Sequence, residues 1–157
     1  RSVSEFLLVQ SAGAVVGAGA VVTSGLIADQ IGRRNTLLLS GAMIALFSLS
    51  SIVAPLLFGD SLAGQTIYVI IGFGLLGLAY GQTAGAVASS FGLQYRYTGA
   101  ALTSDFAWLI GAGFAPLVAL TLSSTFGLAW VGLYLLSGAL CTLAALWIDR
   151  RLEARYG

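Results

Sequence analysis

The chain has 157 residues, 58% hydrophobic and only 8% charged, with seven basic against six acidic side chains and a net charge of +1. A soluble domain carries roughly 25% charged residues to keep its surface wetted, so this composition places the chain in lipid. There is no His, and the single Cys141 can form no disulfide within the chain. Thiolate and imidazole metal sites, catalytic triads and Cys–His pairs therefore lack their residues. Neither an enzyme nor a cofactor is expected, and seven scattered Arg make no stripe for nucleic acid.

A transmembrane helix takes about 20 mostly apolar residues, and five stretches reach that length: about 5–27, 36–58, 66–90, 98–122 and 126–148. Each must be helical, because backbone facing lipid has to satisfy its own hydrogen bonds. The expected fold class is an all-α membrane protein with five transmembrane helices. The first connector carries Arg33 and Arg34, the second Asp60, the third Arg96, the fourth no charge, and the tail carries Arg150, Arg151 and Arg155. Positive charge thus marks alternate connectors, which puts the first, the third and the tail in the cytoplasm. Arg1 is the exception, at an end that then lies outside. An odd number of spans starting outside is expected of the C-terminal piece of a larger protein, or of a split gene product.

The first connector reads Gly25-Leu-Ile-Ala-Asp29-Gln-Ile-Gly32-Arg33-Arg34. This G-x-x-x-D-x-x-G-R-R pattern resembles the cytoplasmic-loop signature of the major facilitator superfamily of secondary transporters, where it joins the second and third helices of each six-helix half. The third connector, Phe91-Gly-Leu-Gln-Tyr-Arg96-Tyr97-Thr98-Gly99-Ala-Ala-Leu, looks like the F-P-x-x-x-R-Y-[ST]-G-x-[SA]-L segment of the metabolite:proton symporter family, between its tenth and eleventh helices. Gly111-Ala-Gly113-Phe-Ala-Pro116-Leu resembles the glycine-rich, proline-containing middle of that eleventh helix. Three positions depart from the pattern: Gln30 where Arg or Lys is preferred, Gly92 where Pro is usual, and Asp105 where relatives tend to carry Asn.

The resemblance implies helices eight to twelve of a partial C-terminal bundle, with the last helix ending in the cytoplasm. It implies part of a proton-coupled symporter in a bacterial cytoplasmic membrane, moving a small polar or anionic metabolite by alternating access. The partners are then a small-molecule substrate, protons, the lipid bilayer and the missing N-terminal helix bundle of the same protein. An export antiporter of the same superfamily is the alternative within transport. A non-transporting scaffold or an inactive remnant is the alternative outside it.

The resemblance makes Gly25, Asp29, Gly32, Arg33 and Arg34 a conformational latch, with the Asp29 carboxylate near a helix N-terminus of the other half, where partial positive charge favours it. The plain alternative is an interfacial turn whose Arg residues anchor topology. Arg96, in the third, cytoplasmic loop, is read as a topology anchor, with a gating contact as the alternative. Asp105 is an acid roughly 10 Å into its span, and intramembrane acids usually face a cavity or a partner. It is a candidate for the substrate or proton pathway together with Trp108, three residues on, and with Gln82. A shallow, hydrated Asp105 and a Gln82 engaged in helix–helix hydrogen bonding are the alternatives; Gln10 and Thr83 also need partners. Gly74, Gly77, Gly81 and Gly85 line one helix face, as do Gly13, Gly17, Ala20 and Ser24 on the first span. Small residues at that spacing let backbones approach closely. Pro116 predicts a kink.

Overall fold

The computed structural model describes residues 3–58 and 61–148; Arg1, Asp60, Arg150, Arg151 and Arg155 lie outside them. Within those residues the chain forms α1 (Val3–Ile31), α2 (Arg33–Phe58), α3 (Leu62–Ser89), α4 (Arg96–Ala107), a π-helical turn (Trp108–Ala112), α5 (Gly113–Thr125) and α6 (Leu128–Ile148). The fourth span consists of α4, the π turn and α5 in continuity. Five helices are long and apolar enough to cross a membrane, and the chain is an all-α membrane protein.

Helix ends follow local chemistry. The Ser61 side chain caps α3 by accepting from the Gly64 N–H at 3.3 Å. Gly32 and Gly127, with φ of +85° and +94°, end α1 and the fourth span in the left-handed region. That region costs an L-residue about 1–2 kcal/mol, which glycine avoids. The first connector is far shorter than the sequence suggests. α1 continues to Ile31, past the expected end at 27, and Gly32 alone separates it from α2. The Gly32 N–H donates to the Ala28 carbonyl at 2.9 Å, and the Gly32 carbonyl accepts from the Thr36 N–H at 3.1 Å and hydroxyl at 2.9 Å. The Asn35 side chain donates to the Ile31 carbonyl at 2.9 Å, covering the end of α1.

Packing runs the reverse of a soluble core. Buried apolar residues are few, among them Leu37, Leu75, Ala139 and Leu146, whereas Leu8, Val15, Val22, Leu46 and Trp147 are well exposed. Lipid solvates large apolar side chains as well as a protein interior does, so helix association rests on close packing and interhelical hydrogen bonds instead. Two seams supply these. α1 runs parallel to α3 along a line of small residues, and α2 packs on α6 through Gly41, Ser48 and Ser51 on one side and Gly132 and Leu143 on the other. A Cβ on Gly132 would overlap the Ser51 hydroxyl, and one on Gly41 would lie 3.1 Å from a Leu143 methyl. The serines in this seam bond back into their own helix: Ser48 to the Ile44 carbonyl at 2.8 Å, Ser51 to the Ser48 carbonyl at 2.6 Å. Their hydroxyls are satisfied without a partner across the seam.

α2 also joins α3. The Phe47 and Tyr68 rings stack with centroids 4.3 Å apart, and the Tyr68 hydroxyl donates to the Phe47 carbonyl at 3.1 Å. At the opposite end, Arg34 Nη2 donates to the Leu146 carbonyl at 3.0 Å, and the Arg33 guanidinium lies against Gly85. The first connector and the C-terminal ends of α3 and α6 therefore share one side of the bundle.

The fourth span stands apart. α4 meets α3 and α5 meets α6, yet none of its described residues is buried. The π turn has a local cause. Pro116 lacks an N–H and its ring crowds the carbonyl four residues back, at Ala112. The backbone widens over the turn ending at that residue, and the Gly113 N–H reaches back to the Trp108 carbonyl. The expected distortion occurs as this widened turn, ahead of the proline.

Candidate functional site

The α1–α3 seam brings together the two small-residue stripes. A Cβ on Gly77 would strike the Gly17 carbonyl oxygen, and one on Gly81 would lie 2.9 Å from the Val21 carbonyl and 3.0 Å from the Ser24 hydroxyl. Gly13 lies under the Phe73 ring. At the end of this seam nearest the first connector, Ser24 is fully buried and Gln82 is 4% exposed. Gln82 Nε2 donates to Ser24 Oγ at 2.9 Å, and Ser24 Oγ donates onward to the Leu78 carbonyl at 2.7 Å. Gln82 thus has a partner within the bundle, which accounts for a buried amide at a site where an unpaired one would cost about 1–3 kcal/mol. Thr83 is exposed and bonds back to the Ala79 carbonyl at 2.9 Å; Gln10 is exposed.

The signature residues occupy both sides of the single-residue turn. Gly25 and Asp29 are in the last two turns of α1, with Asp29 exposed, while Arg33 and Arg34 open α2 and are half-buried. A carboxylate close to the C-terminal end of its own helix meets the negative end of the helix dipole, at a cost of about 0.3–1 kcal/mol. No basic residue lies in that last turn to offset it. Asp29 is therefore poorly placed for the stability of α1 itself and well placed to meet positive charge from outside the helix.

Asp105 and Trp108 are both exposed on the fourth span, on either side of the start of the π turn, whereas Gln82 is buried in the α1–α3 seam. Arg96 and Tyr97 are exposed at the start of α4. The R-Y-T-G element has a steric basis here. The Phe91 ring folds back over Gly99, where a Cβ would lie 2.6 Å from the ring edge. The Gly99 N–H donates to the Tyr95 carbonyl at 2.8 Å, and the Tyr95 N–H to the Gly92 carbonyl at 3.0 Å. The Gly92 carbonyl is thus an acceptor within a compact turn. Among the described residues no group of His, Cys, Asp and Glu could hold a metal ion.

The row of buried hydroxyls on α2 escapes the sequence reading. Its signal was present: Thr36, Ser40, Ser48 and Ser51 recur at helical spacing in an apolar run. The contacts of Arg33 with Gly85 and Arg34 with Leu146 had no signal, since they join residues far apart in the chain.

Comparison with curated proteins decides the family. Over 143 residues, 90% of the chain is 36% identical to a putative metabolite transport protein of Haemophilus influenzae. Over 134 residues it is 37% identical to the inner membrane metabolite transport protein YhjE of Escherichia coli. The chain belongs to this family of metabolite transport proteins. A third relative, the shikimate transporter of Escherichia coli, is 31% identical over 73% of the chain. The chain spans 31%, 30% and 26% of the lengths of these three relatives. No family model and no solved structure matches it significantly. The relatives are transport proteins, and together with the five apolar helices among the described residues they make this a multi-pass membrane protein.

Proposed function

We propose that these residues form helices eight to twelve of a proton-coupled symporter of the major facilitator superfamily, in a bacterial cytoplasmic membrane with the C-terminus inside. The cargo is a small hydroxylated or anionic metabolite; the shikimate transporter among the relatives supports that class. The observation that carries the reading is the state of the fourth span. It holds the acid Asp105 beside Trp108 and a π turn, and none of its described residues is buried in this bundle. An intramembrane acid is tolerated against a cavity or a partner, so this span faces further helices of the transporter, and with them encloses the substrate path at the midplane. Asp105 and Trp108 line that path; Gln82 keeps α3 in register with α1.

Alternating access then consists of rocking this bundle against a second one. Asp29, exposed and unfavourable on its own helix end, latches the cytoplasmic side onto a helix N-terminus of the other bundle. Arg33 and Arg34 hold the turn that carries it, and Arg96 fixes the cytoplasmic end of the fourth span. Asp29→Asn removes the latch charge and leaves the helices intact, so it should shift the conformational balance by about 1–2 kcal/mol. Uptake kinetics compared with the amount of folded protein in the membrane test this. Normal kinetics in that variant would make the turn a topology anchor only.

A further inference from the structure

Gly85 continues the stripe of Gly74, Gly77 and Gly81 on α3, but it does different work from the other three. Gly77 and Gly81 face backbone and side-chain atoms of α1. Gly85 faces an arginine: a Cβ there would lie 2.6 Å from Arg33 Nη1, 2.7 Å from Cζ and 3.2 Å from Nε. Three atoms of one guanidinium thus lie within contact of the point where a side chain would begin. The group occupies the place a side chain at 85 would take, and any larger residue would displace it.

We infer that Gly85 is a positioning residue for the signature turn: by lacking a side chain it seats the Arg33 guanidinium on α3. The physical argument turns on what would move. At Gly77 the obstacle is the Gly17 carbonyl, part of a packed helix, so an added methyl must part the two helices. At Gly85 the obstacle is the far end of a long side chain, which swings away at little cost to the bundle. A methyl at 85 therefore unseats Arg33 and spares the seam. Arg33 is the first residue of α2, directly after Gly32, and Asp29 lies one turn before it. Seating its guanidinium on α3 couples the turn, and the carboxylate it carries, to that helix, so that a shift of α3 is felt at Asp29.

The effect on uptake depends on the proposed transport role, whereas amide exchange at the turn does not, so failure of one is separable from failure of the other. The experiment is hydrogen–deuterium exchange on the complete transporter in nanodiscs, with Gly85→Ala made in the parent and in an Arg33→Ala background. In the parent, exchange of the Gly32–Asn35 amides should rise by about threefold or more, with the Gly17–Ser24 and Gly74–Gln82 amides unchanged. In the Arg33→Ala background, Gly85→Ala should add nothing. Equal effects of Gly85→Ala in both backgrounds, or loosening of the seam along with the turn, would overturn the assignment. Turn exchange equal to the parent's would do the same.

Discussion

Gln82 Nε2 donates to Ser24 Oγ at 2.9 Å at the connector end of a seam built from glycine, alanine and serine. The bond joins α1 to α3 across 58 positions of sequence, and the same serine donates to the Leu78 carbonyl. It fixes the register of two helices that could otherwise slide on a smooth surface of small residues.

Ser24→Ala should therefore weaken the bundle by about 0.6 kcal/mol and by at most about 1.7, the mean and the maximum for interhelical hydrogen bonds in membranes. Gln82→Leu removes both the donor and its need for a partner, and should cost less than Ser24→Ala. Unfolding of the reconstituted protein in a denaturing detergent measures both. A larger loss for Gln82→Leu would mean that the amide serves more than this bond.

Steric contrast along α1 and α3 gives a second expectation. Gly77→Ala places a methyl on the Gly17 carbonyl and should destabilise by about 1–3 kcal/mol. Gly19 has nothing within 4 Å of its Cβ direction, so Gly19→Ala should be neutral or stabilising by up to about 1 kcal/mol through helix propensity. Thermal denaturation of the two variants side by side checks the assignment of the seam face.

The two stripes were legible because lipid leaves few reasons to place small residues at helical spacing other than close packing. The five spans were legible from hydropathy alone. The end of α1 was not. Gly25 and Asp29 carry turn chemistry in sequence, yet a helix that has left the hydrocarbon can hold a charge, and only the left-handed Gly32 breaks it. Gly85 looked like one more packing glycine because its neighbour, Arg33, is distant in the chain. Gln82 could have faced cargo or helix, and pattern cannot separate the two; the position of Ser24 supplies its partner. Asp105 is exposed on a span that this bundle does not bury, so its proposed role rests on its place in the span and not on a contact.

The alternation of arginine-bearing connectors predicts opposite sides for the second and third connectors. With the exposed Cys141 replaced by Ser, cysteines at Ala63 and Tyr97 should label from opposite faces with an impermeant maleimide, Tyr97→Cys from the cytoplasm. Labelling of both from one face would break the five-span topology.

At Asp105, replacement by Asn removes an ionisable group and keeps the shape. If the acid is wetted by the substrate path, Asp105→Asn should alter the pH profile or the substrate ranking of uptake while the protein still folds. Superimposable profiles and rankings would make Asp105 a shallow, hydrated acid with no part in the cycle.

The central claim is that these five helices work as part of a proton-driven carrier, and transport itself tests it most directly. The complete transporter carrying these residues is reconstituted into proteoliposomes, and uptake of a labelled panel of small carboxylated metabolites, shikimate included, is followed with and without an inward proton gradient. Saturable uptake that needs the gradient and collapses with a protonophore is the expected result. Uptake indifferent to the gradient, or none for any member of the panel in a correctly folded preparation, would contradict it.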